Sequence, residues 1–266
     1  MRHSASREFV FRRVHDMADL VEECLGEPRS PMEIDWGNQD VLGCLIGCKK
    51  TSQLHHYIHA MIAVEERREY LHGHDLYEES QDMLLEVEAD LKAYGIGFQP
   101  YDDYCASRPQ SPGNDWLFRE WFLAHEAQFE QLWEKLTDEV FHLLFANRAF
   151  LLRFNSALSE CLSLGGASIP ASALAPNGRL RRQQFFPAWL RRAVFYRDQG
   201  RCVLCQRDFT GMVNPDYEMH YDHMVPLKLW GTNDPCNVQR LCADCNCTKS
   251  GAAAVTASRY VPWWDY

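Results

Sequence analysis

At 266 residues, with 46% hydrophobic and 12% aromatic side chains and a formal net charge of −10, the chain has enough apolar surface to offset chain entropy, which excludes a mainly disordered protein. It has no run of about 18 apolar residues of the kind that spans a bilayer, because the richest stretch, 140–152, is broken by His142, Asn147 and Arg148. Charge is unevenly placed: residues 1–178 carry 15 Lys+Arg against 29 Asp+Glu, and residues 179–266 carry 12 against 8, so the expectation is a basic working domain on an acidic body.

The opening MRHSASREF lacks the apolar core of a signal peptide. Eleven cysteines would suit a secreted disulfide scaffold, but four stand in metal-ligand pairs and the others are scattered through helical sequence. A reducing, cytoplasmic setting with no membrane partner is therefore expected.

In chain order, REFVFRRV at 7–14 reads as a short strand. The next residues space Met17, Leu20, Val21 and Cys24 for a helix that Gly26 ends. A Gly- and Pro-rich loop follows to residue 38. The pattern is helical again over 40–71, broken near Thr51-Ser52, where a hydroxyl can cap a second helix; Leu54, Ile58, Met61 and Val64 are expected to face inward. His55, His59 and Glu66 share one face, read as exposed or core residues rather than a second metal site.

A further helix over 76–94 lines up Met83, Leu84, Val87 and Leu91, with Gly95 suited to a left-handed cap. Residues 97–114 read as loop. Two long helices, 115–136 and 138–162, then carry Phe118, Trp121, Phe122, Phe129, Trp133, Phe141 and Phe145 as a core. The expected fold class is mainly α: an all-helical acidic domain of about five helices at 1–162, then a small C-terminal domain. SLGGASIPASALAPNG at 163–178 has small residues, two prolines and no charge, and reads as the linker. Residues 179–266 form the second domain, opening on a helix with Pro187 in its first turn and Leu190, Val194 and Phe195 on its buried side. The aromatic tail VPWWDY is expected to dock on a neighbouring surface.

That second domain is built around Cys202–Lys249. Two Cys-x-x-Cys pairs, Cys202/Cys205 and Cys242/Cys245, supply four thiolates of the kind zinc takes in tetrahedral sites, and a site with four protein ligands has no open position for water, so the zinc is structural. Thirty-six residues separate the pairs, enough for an insert with its own chemistry. Within it, a strand over 218–225 delivers Asp222 beside His223, and Pro226 ends its pairing. Oxygens of Asp222 and Asn246 suit a hard ion such as Mg²⁺ or Mn²⁺, and a neutral His223 can take a proton from water. These are the parts of single-metal phosphodiester hydrolysis. His220, two residues before Asp222, shares its strand face. Arg240 and Lys249, close to these groups, and Arg191 and Arg192 on the preceding helix are candidate phosphate contacts.

The stretch from PAWLRRAVFYRDQGRCVLC through YDHMVP and CNVQRLCADCN to Lys249 resembles the zinc-containing HNH (ββα-metal) endonucleases. The resemblance covers about 70 residues, roughly 186–254, and implies a zinc-stapled ββα fold. It implies that His223 is the general base, that Asp222 and Asn246 hold the catalytic ion, and that Asn237 pins the loop between strand and helix. The steps of 15 residues from Asp222 to Asn237 and 24 to Asn246 look like those in the HNH domain of the RNA-guided CRISPR nuclease, where an acid two residues before the final Asn can join the metal, which adds Asp244. Where the family's last motif residue is His or Asn, this chain has Asn246; Cys236 and Cys247 lie beside the paired thiols, and Cys202, Cys205, Cys242 and Cys245 are taken as the zinc set. The implied function is a metal-dependent DNA endonuclease whose acidic helices meet a protein partner or a second copy, a layout that suggests host-defence or mobile-element nucleases. The alternatives are a non-catalytic zinc-binding nucleic-acid adaptor and an RNA-cleaving enzyme.

Overall fold

The computed structural model describes residues 8–26, 39–72, 77–108, 114–165, 168–210 and 219–262. The expected docking of Trp263 and Trp264 lies outside the described residues. The architecture is mainly α: ten helices and a two-stranded sheet among the described residues. The helices are α1 (Val14–Leu25), α2 (Gln39–Ile46), α3 (Gln53–His72), α4 (Tyr77–Ala93), α5 (Tyr101–Ala106), α6 (Asn114–Ala124), α7 (Glu126–Ala146), α8 (Arg148–Ser163), α9 (Ala188–Arg197) and α10 (Ala243–Lys249). The strands are β1 (Met219–His223) and β2 (Val238–Cys242). No helix among the described residues is long and apolar enough to cross a membrane.

The chain divides into two compact units, one of residues 1–21 and 58–140, the other of 22–57 and 141–266. The linker expected at 163–178 is small and uncharged in composition. Residues 171–173 make a 3₁₀ turn there, and Leu174 bridges Leu180. Contacts group α2, α8 and the first turn of α3 with the C-terminal elements.

In the first unit the aromatic residues form the core as expected: Tyr70 lies 5.2 Å from Phe122 and 5.5 Å from Phe129, and Trp121 and Trp133 are fully buried. The segment before α1 is not a strand. Phe11 and Arg13 have positive φ, and the backbone N–H groups of Val10 and Phe11 donate to the Glu139 carboxylate at 2.6 and 3.0 Å. Arg13 reaches Glu66 at 2.8 Å and Asp90 at 3.1 Å, while Trp133 Nε1 donates to Glu66 at 2.6 Å. Burial pushes the Glu66 carboxyl up, and Arg13 draws it back.

Other expectations are corrected locally. Val64 is exposed. Residues 101–106 of the supposed loop are helical. The two long helices are three, because His125 Nδ1 and the His125 backbone N–H both meet the Trp121 carbonyl, ending α6, and Asn147 caps α8 by accepting from Phe150 N–H at 3.1 Å. These side-chain bonds compete with the helical ladder without disturbing the apolar period. Gly95 takes its left-handed cap, with φ +66°.

In the second unit β1 and β2 pair antiparallel, with Asp222 opposite Gln239 and His223 opposite Val238. Helix α9 buries Leu190 and Val194 against Val238, joined by Phe186, Trp189 and Tyr221. All five residues of β2 are buried.

Candidate functional site

The 224–237 loop carries the site, and Asn237 closes it. Its Oδ1 accepts from Val225 N–H at 2.8 Å, and its Nδ2 donates to the carbonyls of Val225 and Thr232, each at 2.9 Å. Gly231 completes the turn: a Cβ there would stand 1.9 Å from the Val225 carbonyl oxygen, so no other residue fits without moving the backbone.

His223, at the end of β1, is buried. Its Nε2 lies 3.2 Å from Asn233 Oδ1. The Asn233 Nδ2 donates to the carbonyls of Ile46 at 2.9 Å and Arg181 at 2.8 Å, which fixes the amide so that its oxygen faces the ring. That oxygen cannot donate, so Nε2 carries the proton and Nδ1 is the basic nitrogen. Burial, followed by the positive charge of Arg182, pushes His223 down to about 4, so the ring is neutral near pH 7. The Phe186 ring stands 6.0 Å from it.

Asn233 itself is held from outside the sheet. Its backbone N–H donates to Leu45 at 3.1 Å, and next to it Asp234 accepts from Gln53 N–H at 2.7 Å and Cys236 N–H at 2.8 Å. Burial pushes the Asp234 carboxyl up to about 6, against the pull of these two donors. From α8, Asn155 donates to the Cys236 carbonyl at 3.2 Å.

Asp222 and Asn246 sit on the facing surfaces of β1 and α10. Asp222 Oδ2 accepts from Lys249 Nζ at 2.7 Å and Gln239 Nε2 at 3.2 Å, and the same ammonium donates to the His223 carbonyl at 2.5 Å. One step along each element, Asn246 Nδ2 meets His220 Nδ1 at 2.9 Å. The i, i+2 step of the strand thus matches the i, i+3 step of the helix. Asp222 and Asn246 offer the oxygen donors a hard divalent ion takes.

Asp244 does not join them. Two residues on a helix are about 200° apart around the axis, and Asp244 is exposed and paired with Arg207 at 2.8 Å. Two of the four residues expected to contact phosphate are buried. Arg240 is 1% exposed, held between the Phe195 and Phe209 rings at 4.6 and 5.1 Å, because β2 is covered on both faces and its period-2 alternation leads to no solvent side. Lys249 is buried and already engaged by Asp222 and the His223 carbonyl. Arg191 and Arg192 are exposed on α9.

The sulfurs of Cys202, Cys205, Cys242 and Cys245 all lie within 4.8 Å of one another. A tetrahedron with zinc–sulfur bonds of about 2.3 Å puts its sulfurs about 3.8 Å apart, and Cys205 and Cys242 stand at 3.8 Å. Burial works against a Cys202 thiolate, yet backbone N–H groups of Cys205, Cys242 and Leu204 outweigh it and lower the thiol. The donor set fits structural zinc. Cys236 is instead directed to the Ser52 hydroxyl at 3.4 Å, and Cys247 is exposed outside the cluster.

Asn233, Gln239 and the Leu45–Gln53 segment were not expected in the site from the sequence. Asn233 follows the Gly-Thr of the loop, a position that reads as turn chemistry, and its partner carbonyls, Ile46 and Arg181, lie 187 and 52 residues away.

Residues 202–251 match the family model for HNH endonuclease. No curated protein and no solved structure matches the chain.

Proposed function

We propose that the chain, whose residues 202–251 match the HNH endonuclease model, is a metal-dependent endonuclease that hydrolyses DNA phosphodiester bonds. The observation that carries this reading is the bond between His223 Nε2 and Asn233 Oδ1, which leaves Nδ1 of a neutral imidazole as the proton acceptor. In this mechanism His223 takes the proton of the attacking water through Nδ1, and Asn237 holds the loop on which that ring is oriented. Asp222 and Asn246 would hold one Mg²⁺ or Mn²⁺ through their side-chain oxygens, the Asn246 amide nitrogen being engaged by His220. When bound, such an ion neutralises charge on the phosphate and the leaving oxygen. Lys249, bound to Asp222 and to the His223 carbonyl, sets the distance between β1 and α10 rather than gripping nucleic acid. Arg191 and Arg192 contribute to a cationic track. The acidic helices, with 29 Asp+Glu in residues 1–178, are proposed to meet a protein partner or a second copy.

The test is plasmid cleavage by wild type and His223→Ala with Mg²⁺ or Mn²⁺, followed by competition from matched RNA. Loss of a positioned base is expected to slow cleavage by about 10²–10⁴-fold. Two equally inert proteins that still bind DNA would make the chain an adaptor, and preferential cleavage of the RNA would replace the substrate.

A further inference from the structure

We infer that Arg182, upstream of the matched HNH stretch, is the substrate-phosphate clamp of the His223 site. This rests on the nuclease reading and adds a residue to it.

The backbone on either side of Arg182 is bound to the amide that orients the base: the Arg181 carbonyl accepts from Asn233 Nδ2 at 2.8 Å, and Gln183 N–H donates to Asn233 Oδ1 at 3.2 Å. Arg182 is therefore pinned one side chain away from His223. Four residues on, Phe186 closes against the same imidazole and against Tyr221, at 6.0 and 5.8 Å. The 181–186 segment is a wall of the site.

The basic run 179–182 is not equivalent along its length. Arg179 donates to the Lys228 carbonyl at 3.2 Å and lies 3.7 Å over the Trp230 ring. Arg181 donates to the Leu174 carbonyl at 2.9 Å. Both guanidinium groups are engaged by the chain itself. Arg182 is exposed, and its side chain has no hydrogen bond or ion pair among the described residues. Lys249 on α10 and Arg240 on β2 are buried. Arg182 thus carries an exposed planar guanidinium on the segment bound to the amide that orients a base which must meet water at a phosphorus centre. Such a group grips two phosphate oxygens in parallel, which an ammonium does not.

The test compares wild type, Arg182→Ala, Arg182→Lys and, as a comparator in the other unit, the exposed Arg119→Ala. Steady-state plasmid cleavage is measured, together with DNA binding against salt in a His223→Ala background. Arg182→Ala is expected to lose about 10²–10³-fold in kcat, as when one charge-stabilising donor is removed, and its binding slope in log salt is expected to fall by about 0.9. Arg182→Lys should restore the salt slope but only part of kcat; Arg119→Ala should match wild type. Zinc content and melting check each variant, and if the alanine protein fails these checks, the lysine variant's split between slope and kcat decides. An active wild type with Arg182→Ala unchanged in rate and slope overturns this inference alone. An inert wild type overturns the nuclease reading, and this inference with it.

Discussion

Asn233 Oδ1 lies 3.2 Å from His223 Nε2, on an amide whose nitrogen is held by carbonyls from Ile46 and Arg181. The orientation of the proposed base is thus set by two segments that both precede the matched HNH stretch in sequence. Four hydrogen bonds converge on one side chain that is 1% exposed.

Asn233→Ala is expected to lower cleavage by about 10–100-fold, the range for partners that orient site ligands, while zinc stays bound. Imidazole ¹⁵N shifts of His223 should change from a pure Nε2–H tautomer to a mixture. An unchanged tautomer in the variant would show that Asn233 does not set it.

Chelation of zinc is expected to unfold the module around Cys202, Val203, Leu241 and Cys242, which form one buried cluster with the ligands. Apparent binding energies of about 10–16 kcal/mol are typical of such sites. Cys202→Ser should abolish zinc uptake, and Cys236→Ser and Cys247→Ser should each retain one zinc per chain by elemental analysis. Loss of zinc in either of the last two would redraw the ligand set.

A fragment of residues 179–266 is expected not to fold cooperatively even with zinc. It lacks Asn155, which donates to the Cys236 carbonyl, and the Gln53 N–H that donates to Asp234. It also lacks Arg148, buried against Asp198 at 3.6 Å and donating to the carbonyls of Ala257 and Arg259. In the full chain, Arg148→Ala should cost about 3 kcal/mol in denaturant unfolding. A sharp zinc-dependent melt of the fragment would show that the HNH module stands alone.

Arg13→Ala is expected to destabilise the chain by about 3–5 kcal/mol near neutral pH, since Glu66 and Asp90 lose a buried partner. Glu66 is already raised above its ordinary 4.5 by burial, and Arg13 opposes that shift, so the variant raises it further. A carboxyl raised in the folded state adds stability below its unfolded pKa, and that stability is lost as pH rises. The deficit against wild type should therefore shrink as pH falls through the raised folded-state range and reach its smallest value by about 4.5; denaturant melts from neutral pH down to that value check the sign, and a deficit that grows on acidification would refute the assignment.

Several residues show why part of this was readable in the chain. Heptad-like apolar spacing marks Val87, Leu91, Phe129 and Trp133 as core because burial repeats with the helix turn. The 125 and 147 breaks escaped notice because they are made by hydrogen-bonding side chains inside an unbroken apolar pattern. Arg240 and Lys249 read as surface cations because charge predicts solvent unless a partner is known, and their partners, Phe195, Phe209, Asp222 and the His223 carbonyl, come from other elements. Asp244 was carried by linear spacing to a helix whose rotation turns it away.

The sequence by itself determined the order of chemistry: two thiol pairs, an Asp-His on a strand, a loop-closing asparagine and a final asparagine on a helix, because ligand type and local period are properties of neighbouring residues. Only the tertiary structure decided which nitrogen of His223 is basic, which cations remain exposed, and that residues 45–53 and 148–155 belong with the C-terminal site. Each of these depends on groups brought together across more than a hundred positions, or on burial, and neither is written in local spacing.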